Sequence, residues 1–464
     1  MLQGKSLLNT LLCQLITVIV ILPMVLLSGC NGSNSNSPTP EKQSTGQEQQ
    51  SEDIPDQLKS IEENIEKIFK KLGGPSVGVK DQKEEEDAQK EEENKEENQF
   101  IYYLAVSPEH FEIIINNLKE YGLEKINNLN PRLVIEKPFG KNLKTAKLLN
   151  EKIVSVFGEE NTYRIDHYLG KEMLQNIMVI RFSNQFFEPV WNNKYIKRVI
   201  INSMETIGVG SRGNYFENFG IIRDMVQSHL LQLLSLIAME KPKSLNTNDV
   251  RDEKIKVLKA LKPFTKLDFE NNIIRGQYKS YRNEANINPN STTETFVAFK
   301  TYLKNKRWND VPFIIRTGKK LSRKSTEIII EFKDIENNLY KEAMPNVLVF
   351  KIQPEEGVFL SFNAKKIGTI NDLVPVKMDF CQNCEVGFNS PEAYERLLFD
   401  VMRGDATLFA RWDEVEYSWK FIDKIIDYWQ SENPPLHIYE DNSFGPLAAD
   451  KLVNYSKIIE NIYK

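Results

Sequence analysis

The sequence predicts an α/β segment followed by a larger α+β domain, and three observations carry that reading. Between Ile101 and Phe157 an apolar run, a helical stripe, a second apolar run and a second helical stripe follow one another, the order of a parallel βαβ unit. Further on, Thr326-Glu327-Ile328-Ile329-Ile330-Glu331-Phe332 and Val347-Leu348-Val349-Phe350-Lys351-Ile352 read as sheet strands. The 464 residues are 41% hydrophobic and 27% charged with a net charge of -5, the composition of a globular chain with room for more than one core. That composition excludes a membrane channel and a collagen-like fibre. The weakly acidic balance argues against a general nucleic-acid binder, because counterion release needs a basic surface.

The chain opens with Lys5, an apolar run from Leu11 to Leu27 interrupted by Gln14, Thr17 and Pro23, and then Leu27-Ser28-Gly29-Cys30. The run is too short and too broken for a comfortable membrane span, and small residues precede a cysteine. Residues 1–30 therefore resemble a bacterial lipoprotein signal peptide, with Cys30 as the lipidation site and a lipid anchor to a membrane as the consequence; an uncleaved anchor helix is the other reading. Residues 31–99 read as a tether. Ser, Asn, Gln and Pro dominate its start, and Leu58, Ile61, Ile65, Ile68, Phe69 and Leu72 form one short amphipathic helix before Gly73-Gly74-Pro75. Residues 81–99 then carry three Lys against ten Asp and Glu, a solvated acidic spacer. Up to residue 99 the net charge is -8 and Phe69 is the one aromatic, so the core must come from the +3 remainder.

From Phe100 the character changes. Ile101-Tyr102-Tyr103-Leu104-Ala105-Val106 is a buried strand, and Ser107-Pro108 starts a helix with Phe111, Ile114, Ile115 and Leu118 on one side. Leu133-Val134-Ile135 is the second strand, and a helix from about residue 142 to Phe157 is stopped by Gly158. After the strand-like Arg198-Val199-Ile200-Ile201 comes Gly208-Val209-Gly210-Ser211-Arg212-Gly213, a dinucleotide fingerprint by spacing. The carboxylate that would hold a ribose about 20 residues later is absent between Asp224 and Glu240, so the glycines are read as serving a tight turn.

Only four histidines are present. His110 and His437 fall at a helix start and in a loop after Pro434-Pro435, and read as structural or exposed. His167 lies in Arg164-Ile165-Asp166-His167-Tyr168-Leu169-Gly170-Lys171-Glu172, a cluster of donors suited to a phosphate dianion. His229 follows Asp224 by about one and a half helical turns; beside a carboxylate it suits a general base near neutral pH, while a helical His beside Leu230-Leu231 is more often a satisfied core residue. Cys381-Gln382-Asn383-Cys384 has no second pair, which reads as two reduced thiols, with a metal or redox site as the alternative; no metal is expected.

Glu136-Lys137-Pro138-Phe139-Gly140, the Arg164 to Glu172 segment, Arg212-Gly213-Asn214-Tyr215-Phe216 and Gly220-Ile221-Ile222-Arg223-Asp224 resemble the glucose-6-phosphate dehydrogenase family. The resemblance continues through Trp308, Val311 to Lys319, Pro391 to Leu398, Asp400 to Asp405 and Phe409 to Arg411, and covers about residues 100–446. It implies an NADP-linked oxidation of glucose 6-phosphate at C1 to the lactone, a step of the pentose phosphate pathway. His229 would be the base, with Asp166 holding its tautomer. His167, Tyr168 and Lys171 would bind the phosphate, and Glu205, Asp224, Lys319 and Lys324 the sugar side. Lys137 would stand between sugar and cofactor, placed by a cis Pro138.

The same resemblance implies a remnant Rossmann-like NADP-binding domain over 100–180 and a larger substrate and oligomerisation domain over 181–464, built on a mostly antiparallel sheet and forming a homodimer. The family opens with a strand and a glycine turn for the NADP phosphates, and this sequence has leader, tether and spacer in that place. The expectation is therefore a truncated cofactor half, with impaired NADP binding and an exposed edge on the Ile101 strand. Family members are cytoplasmic; use of the leader would anchor this chain to a membrane. A catalytically inactive exported lipoprotein, using the fold as a sugar-phosphate-binding or surface module, is the alternative.

Overall fold

The computed structural model describes residues 17–21, 99–126, 130–340, 342–381 and 393–463. Cys30, the 58–72 segment, the acidic spacer and Cys384 lie outside them. The chain separates into two units, Met1–Ile135 with Lys152–Thr162, and Glu136–Glu151 with Tyr163–Lys464. This division falls ahead of residue 180, so the Arg164 to Glu172 segment belongs to the larger unit.

In the smaller unit β1 (Thr17–Ile21), β2 (Phe100–Leu104) and β3 (Arg132–Glu136) run parallel, with Val18 opposite Ile101 and Tyr102 opposite Leu133. Between β2 and β3 the helix α1 (Phe111–Glu120) buries Phe111, Ile114, Ile115 and Leu118, the stripe read from the sequence. Its neighbour in the chain, α2 (Leu143–Phe157), ends on Phe157, which packs edge-on against Tyr102 at 6.1 Å. The strand at Thr17–Ile21 was not foreseen. The sequence Thr-Val-Ile-Val-Ile is rich in β-branched residues, and β2 offers an edge for such a strand to cover.

The larger unit takes in Glu136–Glu151 and resumes at Tyr163, within β4 (Thr162–Ile165), to continue with α3 (Glu172–Ser183) and β5 (Ile196–Met204). Next come α4 (Gly213–Ile221), a π-helical stretch Ile222–Leu230, α5 (Leu231–Ala238), α6 (Thr247–Ala260) and α7 (Lys266–Asn272). The sheet strands β6 (Ile273–Tyr278), β7 (Phe296–Thr301), β8 (Phe313–Gly318), β9 (Ser325–Phe332), β10 (Val347–Gln353), β11 (Gly357–Lys365) and β12 (Leu373–Cys381) follow. The chain closes with α8 (Ala393–Arg403), α9 (Trp412–Glu432), β13 (Leu436–Tyr439) and α10 (Tyr455–Tyr463).

Nine strands form one sheet in the order β12-β11-β10-β9-β5-β8-β7-β6-β13. Only β5 with β8 and β6 with β13 pair in parallel, so the sheet is mostly antiparallel as expected. Its centre is apolar on both faces: Val199 to Ile201, Phe313 to Ile315 and Ile328 to Ile330 are all buried. Continuous apolar runs of this kind mark strands covered on both sides.

Every residue of α5 is buried, and its carboxyl end is held by side chains. Arg181 donates to the carbonyls of Leu236 (3.0 Å) and Met239 (2.8 Å), Trp191 Nε1 to Ile237 (2.8 Å) and Trp308 Nε1 to Ala238 (2.8 Å). Four carbonyls that a helix end leaves unpaired are thereby satisfied, and the Arg181 cation complements the negative end of the helix dipole. The helical column running from Ile222 to Ala238 is fixed at this end.

Candidate active site

Strand β4 delivers Asp166 into a tight turn. Asp166 Oδ1 accepts the Tyr168 N–H at 3.0 Å, and the Leu169 and Lys171 amides donate back to the carbonyls of Asp166 (2.9 Å) and Tyr168 (3.0 Å). An aspartate bonded to the backbone two residues on fixes its own carboxylate. The same Oδ1 is hydrogen-bonded to His229 Nδ1. His229 is fully buried and Asp166 is 2% exposed, so the pair is withdrawn from water. Tyr168 stacks on the His229 ring at 4.3 Å and His167 meets it edge-on at 4.6 Å, which sets the plane of the imidazole. Among the described residues His229 Nε2 and Asp166 Oδ2 have no hydrogen-bond partner.

The electrostatics fix the protonation states. Burial works against an ionised Asp166, but the facing His229 outweighs it, with His167 and Lys137 adding to the pull, and holds the carboxyl at about 2. Burial lowers His229 below the ordinary imidazole value against the opposing pull of Asp166, and Lys137 adds to the lowering. His167 is pushed down to about 3, by burial first and His229 second. Near neutral pH the site therefore holds a carboxylate, a neutral imidazole with its proton on Nδ1, and a free Nε2 able to accept a proton. Asp166, His167 and His229 also offer metal-type donor atoms within 4.8 Å of one another, with Nδ1 and Oδ1 engaged in the hydrogen bond.

Asp224 enters from the π-helical stretch. In an α-helix, side chains five apart diverge by about 140°; i to i+5 bonding widens the turn and narrows that divergence. The π-helical stretch thus brings Asp224 and His229 toward one face, which the one-and-a-half-turn estimate did not provide. Lys137, joined to Pro138 by a cis peptide bond, donates from Nζ to the Asp224 carbonyl (2.6 Å) and lies 3.4 Å from Asp224 Oδ1. Burial opposes ionisation of Asp224, and Lys137, Lys319 and Arg212 together bring its pKa below the ordinary carboxylate value. At the end of β8, buried Lys319 pairs with Glu205 at the end of β5. Those positions lie side by side because Met204 and Gly318 are register partners.

A second cluster surrounds the Tyr168 hydroxyl. Ser203 Oγ lies 3.4 Å and Thr326 Oγ1 3.5 Å from it, and Gln353 Nε2 donates to it at 3.2 Å and to Thr326 Oγ1 at 3.0 Å. Lys171, at the amino end of α3, has its ammonium 6.0 Å from the Tyr168 ring. Burial lowers its pKa, Glu356 raises it and Lys324 lowers it, so the two lysines feel each other. Exposed Lys324 lines a cleft of about 330 Å³ with Arg323, Thr326, Lys351 and Gln353. Ser203, Thr326 and Gln353 were not singled out from the sequence. Each is an ordinary polar residue on a different strand, and the β5-β9-β10 order brings them together.

The glycine fingerprint takes up a carboxylate of its own chain. Gly210 N–H donates to Glu284 Oε2 at 2.7 Å, and a Cβ at Gly208 would stand 2.1 Å from Glu284 Oε1. The segment is a turn closed by Glu284, in agreement with the missing ribose carboxylate. A larger opening of about 750 Å³, lined by Arg181, Glu188, Glu240 and Arg307, holds none of the acid-base groups.

A buried His–Asp pair with a free imidazole nitrogen, near the Lys171 and Lys324 cations on a large mixed sheet, is an arrangement suited to acid-base chemistry. Two family descriptions match the chain: "Glucose-6-phosphate dehydrogenase, NAD binding domain" over residues 35–176 and "Glucose-6-phosphate dehydrogenase, C-terminal domain" over 178–459. The first match begins inside the stretch read as a tether. The chain is 48% identical over 370 residues to a glucose-6-phosphate 1-dehydrogenase of Bacillus subtilis, covering 77% of this chain and 76% of that one. It is 42% identical over 367 residues to one of Streptococcus pneumoniae, covering 77% and 74%. A solved glucose-6-phosphate dehydrogenase in complex with its substrate glucose 6-phosphate superposes with a TM-score of 0.73 at 35% identity, covering 81% of this chain and 77% of that one. A glucose-6-phosphate 1-dehydrogenase from Mycobacterium avium does so at 0.69 and 30%, covering 87% and 88%. The chain belongs to the glucose-6-phosphate dehydrogenase family.

Proposed function

We propose that this chain oxidises glucose 6-phosphate at C1 to 6-phosphogluconolactone with NADP as acceptor. The observation that carries the reading is the buried Asp166–His229 pair, with Nε2 free, beside the Tyr168, Lys171 and Lys324 cluster. His229 Nε2 takes the proton of the C1 hydroxyl as the C1–H bond breaks and its electron pair leaves as hydride. Asp166 keeps the imidazole proton on Nδ1 and stabilises the imidazolium that forms, so the charge develops against a carboxylate already in place. His167, Tyr168, Lys171 and Lys324 take the phosphate, with the Tyr168 hydroxyl fixed by Ser203, Thr326 and Gln353. Glu205, Lys319 and Asp224 take the sugar hydroxyls.

The described residues fit the nicotinamide cofactor in part. Lys137 follows the carboxyl end of β3, the end at which parallel nucleotide folds bind, and its ammonium is steadied by Asp224. β2 is followed by Ala105-Val106-Ser107-Pro108 rather than by glycines. NADP, when bound, supplies the acceptor for the hydride.

Two finer assignments belong to the same reading. Exposed Val374, Met378 and Phe380 on the edge strand β12 suit a homodimer contact, which sedimentation of wild type and Met378→Lys would test. Lipidation at Cys30 would anchor the chain to a membrane, away from the cytoplasmic setting of the family; labelled fatty acid in wild type and not in Cys30→Ala would support it. The enzymatic reading itself is tested by incubating the full chain with glucose 6-phosphate and NADP. NADPH formation with glucose 6-phosphate and none with fructose 6-phosphate is the expected result; binding of the sugar phosphate with no turnover would favour the module.

A further inference from the structure

We infer that Glu294 is a positioning residue for proton transfer, acting by holding the amino end of the helical stretch that carries Asp224 and His229. α4 breaks at Gly220, whose φ of 65° and ψ of 172° are not helical. The next amides open a new helical stretch and have no partner within it. One residue takes both: Ile221 N–H donates to the Glu294 carbonyl at 3.0 Å, and Ile222 N–H to Glu294 Oε1 at 3.2 Å. Glu294 is 6% exposed, and a Cβ on residue 220 would stand 2.2 Å from its Oε1, so the break in the helix and the carboxylate fit each other. A carboxylate at this end matches the positive pole of the helix dipole, as Arg181 matches the negative pole beyond Ala238.

The strap that presents Glu294 is itself fixed. Glu217 on α4 accepts the hydroxyls of Tyr281 and Ser291 at 2.6 Å each, and Thr293 Oγ1 donates to the Glu217 carbonyl at 3.3 Å. Thr295 N–H donates to the Gly276 carbonyl at 2.8 Å, and Lys319 N–H to the Thr295 carbonyl at 3.0 Å. Five consecutive residues, Ser291 to Thr295, therefore set the start of the Asp224 and His229 stretch and the backbone of Lys319 together. Asp224 comes two residues after the Ile222 amide, so slack there passes directly into the carboxylate that Lys137 holds, and then to His229. A displacement of about 1 Å in a reacting group costs on the order of 100-fold in rate.

The inference rests on His229 as the base, and its test separates the two. Full-length Glu294→Ala, Glu294→Gln and His229→Asn are compared with wild type in steady-state assays with glucose 6-phosphate and NADP, and by NMR of protein carrying labelled histidine. Glu294→Ala is expected to lower kcat tenfold or more with KM within about threefold, and to shift the His229 ring signal while circular dichroism is unchanged. Glu294→Gln, whose amide oxygen still accepts the Ile222 N–H, is expected to recover to within about threefold of wild type. A folded Glu294→Ala with wild-type kcat and an unmoved His229 signal would overturn the inference, as would a Glu294→Gln as slow as Glu294→Ala. If His229→Asn keeps wild-type turnover, the base assignment falls, and the histidine signal still decides whether Glu294 places that ring.

Discussion

The two ends of the site are built on opposite principles. At the Asp166–His229 end both side chains are buried, oriented through the hydrogen bonds to Asp166 Oδ1 and the stacked Tyr168 ring. At the Lys171–Lys324 end the cations are half-buried or exposed and balanced loosely by Glu356. Desolvation at the first end makes the free imidazole nitrogen reactive and leaves little tolerance for change. Hydration at the second would suit the entry and release of the doubly charged phosphate proposed to bind there. Chemistry and affinity should therefore separate between the two sets of residues when each is mutated.

The largest expected effect is on His229→Asn, where loss of the base should lower kcat by about 10²–10⁴-fold with little change in KM. Asp166→Asn should follow with a loss on the order of 10²-fold, because the amide no longer enforces the Nδ1–H tautomer; equal kcat values for this variant and wild type would break the contrast. Lys171→Ala removes a charge-assisted contact of about 1.5–3 kcal/mol and should raise KM roughly 10- to 100-fold with kcat nearly unchanged. Exposed Lys324→Ala should raise KM only a few-fold, the scale of a solvated ion pair.

The pH dependence sharpens the same contrast. The base must be neutral, and burial holds His229 below the ordinary imidazole range, so kcat should stay level through pH 6.5 and fall only in more acid solution. Stability follows His167 in the same direction. Its folded value is about 3 against an ordinary 6.5, so between those limits the unfolded chain binds the extra proton and the folded state weakens as pH falls. Below pH 4 Asp166, held at about 2, adds to that loss. Thermal melts should show wild type losing more stability than His167→Gln between pH 6.5 and 4; parallel curves would contradict the assignment.

The fold was legible where composition is monotonous. The Leu133 to Ile135 and Ile328 to Ile330 runs are continuous apolar stretches that suit buried strands, and the α1 stripe has one face. The site was legible through its resemblance, since Arg164 to Glu172 packs four site groups into nine residues. Spacing alone left His229 undecided, because a histidine beside Leu230-Leu231 also suits a core position; the π-helical stretch that brings Asp224 and His229 toward one face has no signature in Ile222 to Leu230. Gln353, Thr326, Ser203 and Glu294 were not legible either. Each is an ordinary polar residue whose contacts come from strand order or from the break in the helix at Gly220, both of which are tertiary facts. Likewise the 17–21 strand depends on β2 standing next to it, and nothing within the apolar run states that.

The most direct test of the division between chemistry and binding is made on one variant. Glucose 6-phosphate is titrated calorimetrically into wild type and His229→Asn, and NADPH formation is measured on the same preparations. Equal affinity for the sugar phosphate, with turnover in the variant lower by about 10²-fold or more, is the predicted result. A His229→Asn protein that turns over within tenfold of wild type, or one that no longer binds glucose 6-phosphate, would contradict it.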